Sequence, residues 1–361
     1  GKLVANAGNP MEKIEALHRF LARRVRNAAA VDADPVRPRK PHDVLDTGFG
    51  DCKDKSILLL AMLEMCGIEA APALVRTRDA GPIIEQAPFP QSNHMLVHVP
   101  VQPGVDEALF LDPTSRRADV RTLPRKIQGA KALLLDACAP RLVTIPVQSP
   151  GDQIRAVHMV ASLGDDSTLR LEATESWTGL FAARMRALLE SPGRRTRDLA
   201  RLLAGRYPGV RVVNAQFEGL DEPLPRAGAR YRLLLEGHAR REGNLLRIQP
   251  FWDSRFTNEY APDPERQNAL DMLEQHRQMD TWTFDVPSSM TVSRLPPDIS
   301  FQDDWFGFER SCRVRDKRIR CQRKLEMNIG RVPVTRYEAF RASCLRLDTA
   351  SRESVVLRQA R

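Results

Sequence analysis

Three residue types that together can make an activated thiol occur in order along the first third of the chain: Cys52, His94 and Asp112. The cysteine lies in Gly48-Phe49-Gly50-Asp51-Cys52-Lys53-Asp54-Lys55. Two glycines free the backbone there, Asp51 can cap a helix, and Asp54 stands three residues on in a capping-box position. Cys52 therefore falls in a first helical turn, where unpaired amides and the neighbouring Lys53 and Lys55 favour thiolate over thiol. A thiolate attacks carbonyls. His94 follows Ser92-Asn93 and opens the strand-like run Met95 to Val99, while Asp112 closes Leu109-Phe110-Leu111. A nucleophile on a helix tip, a base on one strand and an orienting carboxylate on the next is the logic of acyl transfer through a thioester. The oxyanion formed on the way needs donors, and the Cys52 amide can be one. Asp51, Lys53 and Asn93 are the other near-site candidates. Taken alone, Cys52 reads equally well as a buried structural cysteine.

These residues need elements to position them. Ile57, Leu58, Leu59, Leu60, Met62, Leu63 and Met65 leave hardly any polar face, which predicts a central helix, buried along most of its length and ended at Gly67. Before it, Asn9-Pro10 and the stripe Ile14, Leu17, Leu21, Val25 predict an amphipathic helix over 10–27, with His18 a packing residue. Residues 27–40 read as a loop, and 41–47 as a short helix stopped at Gly48. After it, residues 70–77 read as a strand, with Pro72 suggesting an edge or a bulge. The Gly- and Pro-containing stretch 78–91, which includes Phe89, reads as a lid or substrate wall leading to His94. His98 shares a strand face with His94 but lies ~13 Å further along, too far to replace it.

The runs GFGDCKDKSILLLAMLEMCGIEAAPALV, SNHMLVHVP and LFLDPTSRRADVRTLP resemble the transglutaminase-like superfamily, in the bacterial branch that usually follows an N-terminal DUF3857 domain. The resemblance covers roughly residues 10–137. It implies an α+β, papain-like core, a central helix packed on an antiparallel sheet, with Cys52 as nucleophile, His94 as general base and Asp112 orienting it. It also implies a peptide or protein substrate, no cofactor, a further domain upstream, and export to the periplasm. Papain-like proteases place a Gln six residues before the cysteine; here that position is Asp46. Two functions stay open: a thiol acyltransferase or peptidase, and a non-catalytic binding module that keeps the fold.

The chain has 361 residues, 42% of them hydrophobic, enough for two or three domains. No apolar run approaches the length that spans a bilayer. The net charge of +9 belongs to the tail: residues 305–361 hold 15 Lys plus Arg against 6 Asp plus Glu. That surplus can recruit an acidic partner, although no nucleic-acid motif accompanies it. A Pro- and Gly-rich stretch near 143–152 divides a catalytic domain, 1–145, from a β-rich domain with inserted helices, 152–361. In the latter, strands at 154–163 and 167–176 form a hairpin about Gly164-Asp165-Asp166. Helices follow at 179–190 and 195–205, and further strands at 210–218, 229–239, 245–250 and 281–286. A helix over 335–347 packs on this domain.

If Asp316-Lys317 is a two-residue turn, Arg315 faces Arg318, Val314 faces Ile319, Arg313 faces Arg320 and Cys312 faces Cys321. The four arginines then share one face and want anions nearby. The cysteines fall at a non-hydrogen-bonded pair, close enough to form a disulfide if the protein is exported, or to pack as two small apolar residues if it is not. Cys66, Cys138 and Cys344 read as core residues, and no Cys or His pair has zinc-ligand spacing.

Overall fold

Asn9 starts the first helix, α1 (Pro10–Arg24), by accepting the Glu12 amide on its side chain, with Pro10 at the first helical position. A short α2 (Pro41–Thr47) ends at Gly48, whose φ of 69° suits a residue without a β-carbon. The central helix, α3 (Cys52–Glu64), follows almost at once. Ile14, Leu17 and Leu21 of α1 share one buried cluster with Leu58, Leu59 and Leu63 of α3. Each such side chain contributes about 1.5–3 kcal/mol on burial. These elements belong to a computed structural model that describes residues 2–28, 37–84, 86, 90–136, 139–164, 168–250, 252, 255–273, 275–328 and 330–360. Cys138, Phe89, the Asp165-Asp166 turn and most of the 27–40 loop lie outside the described residues.

The described residues form two compact units, one of Gly1–Gln148 with the short stretches Ala182–Arg184 and Glu222–Pro225, the other of the remainder. In the first, α1 and α3 cover one face of an antiparallel sheet. Its strands are β1 (Ala71–Arg76), β2 (His94–Val99), β3 (Leu109–Leu111), β4 (Lys131–Leu134) and β5 (Arg141–Thr144), in the order β3-β2-β1-β4-β5. Val97, Val99, Leu109 and Leu111 join the helices' cluster. Leu96, on the opposite face of β2, packs with Leu123, Ile127, Ala132 and Ile145.

Two expectations need correcting here. β1 is the middle strand, not an edge. Pro72 is tolerated because its carbonyl, accepting from Leu135, points to the β4 side, where ladder pairing begins only at Ala73; the donor that proline lacks falls past the end of β4. Nor is α3 an apolar rod: Asp54, Lys55 and Ser56 are buried in its first two turns, whereas Ile57, Leu60 and Met62 are only half-buried and Met65 is 84% exposed.

The second unit is built on an eight-stranded sheet. Its strands are β6 (Ile154–Leu163), β7 (Leu169–Thr178), β8 (Val210–Glu218), β9 (Arg226–Leu235), β12 (His276–Asp285), β14 (Ile299–Gln302), β15 (Phe306–Arg315) and β16 (Arg318–Met327). They are ordered β8-β9-β7-β6-β12-β16-β15-β14, with β6 and β12 parallel and the other neighbours antiparallel. A four-stranded sheet, β10-β11-β17-β13, comprises β10 (Ala239–Glu242), β11 (Leu245–Ile248), β13 (Met290–Arg294) and β17 (Val355–Gln359). Helices α4 (Gly179–Leu188), α5 (Arg195–Ala204), α6 (Phe256–Tyr260) and α7 (Tyr337–Arg352) are inserted between strands. The fold is thus α+β: helices on an antiparallel sheet, and a β-rich remainder. No helix among the described residues is long and apolar enough to cross a membrane.

The β15–β16 hairpin has the register expected from its sequence, Arg315 opposite Arg318 and Cys312 opposite Cys321. Asp316 and Lys317 both have positive φ, 49° and 57°, as a two-residue turn matched to strand twist requires. Cys312 and Cys321 are joined in a disulfide. Much of the tail's positive charge is answered inside the chain: Arg313 pairs with Asp298, Arg318 with Asp285 and Arg336 with Asp304, while Arg310 and Arg323 are buried.

Candidate active site

The tip of α3 is fixed before the cysteine is reached. Asp51 caps the helix, its Oδ1 accepting from the amides of Lys53 (2.8 Å) and Asp54 (3.1 Å), while its carbonyl accepts from the Lys55 amide. Asp54 reciprocates by accepting from the Asp51 amide at 3.3 Å, which closes the capping box. Of the first-turn amides, this leaves the Cys52 N–H as the one the cap does not use. Arg39 holds the approach to the tip. Its amide and Nε donate to the buried Asp54 carboxylate at 2.8 and 3.0 Å, a second guanidinium nitrogen donates to the Phe49 carbonyl, and the cation lies over the Phe49 ring. Phe49 and Gly50 pair in parallel with Arg26 and Asn27. Gly50 is required by crowding, since a β-carbon there would stand 2.9 Å from Asp54 Cβ and 3.1 Å from Val44 Cγ1.

His94 is set by the start of β2. It pairs with Val75 of β1, and the preceding Asn93 amide donates to the Val75 carbonyl. The Asn93 side chain is committed to Thr77, accepting from its amide at 2.9 Å and donating to its hydroxyl at 2.8 Å. Asn93 therefore shapes the strand entry and is not aimed at the sulfur as an oxyanion donor. Ser56 ties the helix to the same strand through the Met95 carbonyl at 3.1 Å.

Asp112 lies just past β3 and is buried. Its Oδ1 accepts from the Thr114 amide (2.9 Å) and hydroxyl (2.6 Å), and its Oδ2 faces His94 Nε2 at 3.2 Å. Its carbonyl meets the ring of His18, on α1, at 3.1 Å. The Cys52 thiol lies near enough to the His94 ring to help raise its pKa. The three predicted residues thus stand together as one line. It rises from a fully buried carboxylate through a ring 12% exposed to a half-buried sulfur.

The charges follow from this geometry. Burial works against the imidazolium of His94, but hydrogen bonds and charge from Asp112 and Cys52 outweigh it and lift its pKa to about 9. Burial likewise works against the Asp112 carboxylate, yet its bonds to His94 and Thr114 hold it below the usual carboxylate range. Asp51 is lowered too: the Lys53 ammonium and the two first-turn amides overcome its desolvation. Lys53 is raised against its own desolvation, chiefly by Asp51, with Cys52 and Asp54 contributing. Of the near-site candidates, Asp51 is a cap with no proton to donate, and Lys53 is an ion-paired cation close to the sulfur. No group among the described residues has the ligands to hold a metal ion.

Thr114 and Arg39 went unrecognised in the sequence, and Lys55, read there as a cation beside the thiol, is buried with its ammonium on the Val25 carbonyl. Thr114 could have been found from the Asp-Pro-Thr spacing, which lets a hydroxyl two residues on return to the carboxylate. Arg39 carries no such local signal.

Residues 1–105 match the transglutaminase-like superfamily. The first third of the chain is thus transglutaminase-like in sequence. The sequence match stops short of Asp112, so the acid of the site stands on geometry alone. Residues 243–357 match DUF3858, a domain of unknown function with a solved structure. The whole chain resembles the crystal structure of a "putative protease" from Parabacteroides distasonis ATCC 8503, with 11% identity and a TM-score of 0.60. That likeness covers 99% of this chain and 54% of the other, so this chain spans about half the length of the structure it matches. At such identity the likeness shows the fold. No curated protein matches the chain in sequence.

Proposed function

We propose that Cys52, His94 and Asp112 act as nucleophile, general base and orienting carboxylate in thiol-dependent acyl transfer or hydrolysis at a peptide or protein amide. The observation that carries this reading is the line from buried Asp112, bonded to His94, on to the half-exposed Cys52 beside that ring. The carboxylate can only accept, so Nε2 of His94 carries the proton it shares with Asp112, and Nδ1 is left to serve the sulfur. Because Asp112 and Cys52 lift its pKa to about 9, His94 already holds the thiol proton on Nδ1 near neutral pH, so Sγ bonds as a thiolate to the substrate carbonyl carbon while the carbonyl π pair moves onto oxygen. The Cys52 amide, unused by the Asp51 cap, donates to that oxyanion. Collapse breaks the C–N bond; the amine leaves with the proton from His94, and a thioester remains. Water or a second amine, deprotonated by His94, then attacks the thioester and releases Cys52.

The solved neighbour is named for proteolysis, so hydrolysis is the outcome to assay first. We also propose an exported location: the Cys312–Cys321 disulfide supports it, because the reducing cytosol would open such a bond. The test is to incubate the full chain with a peptide mixture and a fluorescent alkylamine, and to read cleavage and amine incorporation by mass spectrometry. Both products should vanish in Cys52→Ala and in His94→Ala. Retention of either product in Cys52→Ala would sink the proposal. So would a Cys52 that resists iodoacetamide in the native protein but labels readily in urea.

A further inference from the structure

His18 is a polar side chain buried beside the apolar stripe of α1, one turn on from Ile14, where a leucine would pack without the cost of desolvating an imidazole. Its partner lies 94 positions on: the ring Nε2 stands 3.1 Å from the Asp112 carbonyl, in a buried bond. A carbonyl oxygen only accepts, so Nε2 carries a proton and donates. Burial, with the charge of Lys55, holds the pKa of His18 below the ordinary imidazole value against the Asp112 carbonyl and the charges of Asp112 and Asp119, so near neutral pH the ring has one proton to place. The acid needs such a tie. Asp112 stands one residue past β3, a strand of three residues at the edge of its sheet, laddered to β2 through Leu109, Phe110 and Leu111. The Thr114 amide and hydroxyl on Oδ1, and the Ser115 amide on the Asp112 carbonyl at 3.1 Å, close the turn on itself. They set the carboxylate against its own backbone, not that backbone against the helices. His18 does the second, because it joins the same carbonyl to α1, whose Ile14, Leu17 and Leu21 share a core cluster with α3. His94 has its own tie to the helices, since Ser56 of α3 donates to the carbonyl of the next residue, Met95. The 3.2 Å contact of His94 with Asp112 thus lies between two grips of the layer that carries the sulfur.

We propose that His18 is a positioning residue for the acid of the site: donating from Nε2 to the Asp112 carbonyl, it ties the turn that carries the carboxylate to α1 and so keeps Oδ2 within bonding distance of His94. The inference rests on the roles proposed for Cys52, His94 and Asp112. A histidine that merely filled space would contribute stability alone, and an apolar residue in its place would leave His94 as it was. One that positions the acid acts through its donor, and the donor's loss must be felt at His94.

The first measurement is NMR of the full native chain carrying 15N-labelled histidine, which distinguishes a protonated ring nitrogen from a bare one. His18 should hold its proton on Nε2. A bare Nε2 overturns the proposal, since it has nothing to donate to the carbonyl. The second compares His18→Leu, which fills the space without a donor, with His18→Gln, whose amide nitrogen can stand in for Nε2, each checked for native circular dichroism. In His18→Leu the His94 ring midpoint should fall from about 9 by roughly a pH unit as the acid draws away, and iodoacetamide labelling of Cys52 at pH 7 should slow about tenfold. In His18→Gln both should return most of the way. A folded His18→Leu chain with the native His94 midpoint overturns the proposal, and so does a glutamine chain no nearer the native one than the leucine chain. Should His18→Leu fail to fold, the position of the His18 proton in the native chain decides. The underlying reading fails separately, if His94→Ala leaves Cys52 labelling in the otherwise native chain unchanged.

Discussion

Replacing Asp112 by asparagine keeps the volume of the buried acid and removes its charge, which makes it the sharpest perturbation of the site. The Thr114 amide and hydroxyl, at 2.9 and 2.6 Å from Oδ1, still want an acceptor, so the new amide turns its oxygen to them and its nitrogen to His94. A nitrogen that donates obliges Nε2 to accept. The ring proton then moves to Nδ1, on the side of the sulfur, and the ring can no longer take the thiol proton. The magnitude follows from the lift that Asp112 and Cys52 give His94, from 6.5 to about 9 against burial. That difference is worth roughly 3 kcal/mol. Without Asp112 the burial remains, and the midpoint should return to the ordinary value or below. At pH 7.5 the protonated fraction of His94 then drops from about 97% to about 10% or less. Turnover, once a substrate is in hand, should fall on the order of 10³–10⁴-fold, as when a triad base is locked in the wrong tautomer. Titration of a 13C-labelled His94 ring and the iodoacetamide rate at pH 7 provide readouts that need no substrate. A midpoint within half a pH unit of the native one, or an unchanged labelling rate, would refute the reasoning.

Gly50→Ala should destabilise the first unit by about 1–3 kcal/mol in urea unfolding, because the added carbon meets Asp54 and Val44. Arg39→Met keeps the backbone donor but takes the guanidinium from the buried Asp54 carboxylate and should cost about 1–3 kcal/mol, with slower Cys52 labelling in the folded chain. Replacing Cys312 and Cys321 together by alanine opens a loop of about ten residues and should lower stability by about 3 kcal/mol on the chain-entropy account, an effect that reductant reproduces in the native chain. Stability against pH should fall and then recover. His94, raised to about 9, stabilises fully below pH ~6.5, and that contribution is lost as pH rises through 9. Lys55, lowered to about 8, makes the folded state shed its proton first, so stability rises between about pH 8 and 10.5. A thermal midpoint that only falls above pH 9 would count against the buried lysine.

The sequence carried the parts of the site that depend on local chemistry. The Asp51 cap, the capping box with Asp54, the Gly48 stop and the start of β2 at His94 are each written within a few residues. The same holds for the β15–β16 register, which two turn residues determine. What escaped depends on contacts between distant segments. Arg39 reaches Asp54 across fifteen positions and has no spacing to betray it. Pro72 signalled an edge because the sequence does not say where β4 stops. The run after Cys52 signalled a fully buried apolar helix. Yet its first turns bury Asp54, Lys55 and Ser56, since these meet Arg39, the Val25 carbonyl and the Met95 carbonyl respectively.

The second unit buries charge as well, and the contrast shows why only the first reads as reactive. Across five adjacent strands Tyr231 donates to Glu175 at 2.9 Å, Arg155 bridges Glu175 and Asp280, and Arg323 donates to Asp280 at 2.8 Å while lying over the Trp252 ring. Trp177 adds a further donor to Glu175. Burial works against the Glu175 carboxylate, but Arg155 and the Trp177 and Tyr231 donors keep it an anion, and removing one member of such a row costs about 3–5 kcal/mol because its partner stays buried and unanswered. The row is closed, however: it ends on a phenol at one side and on a cation stacked over an indole at the other, and none of these gains anything by giving up a proton near neutral pH. The line in the first unit also starts from a buried carboxylate, but it ends on a half-exposed thiol beside an amide that the helix cap leaves unused. Buried charge in the sheet fixes a structure; led outward to a group that can form a bond, it can drive a reaction.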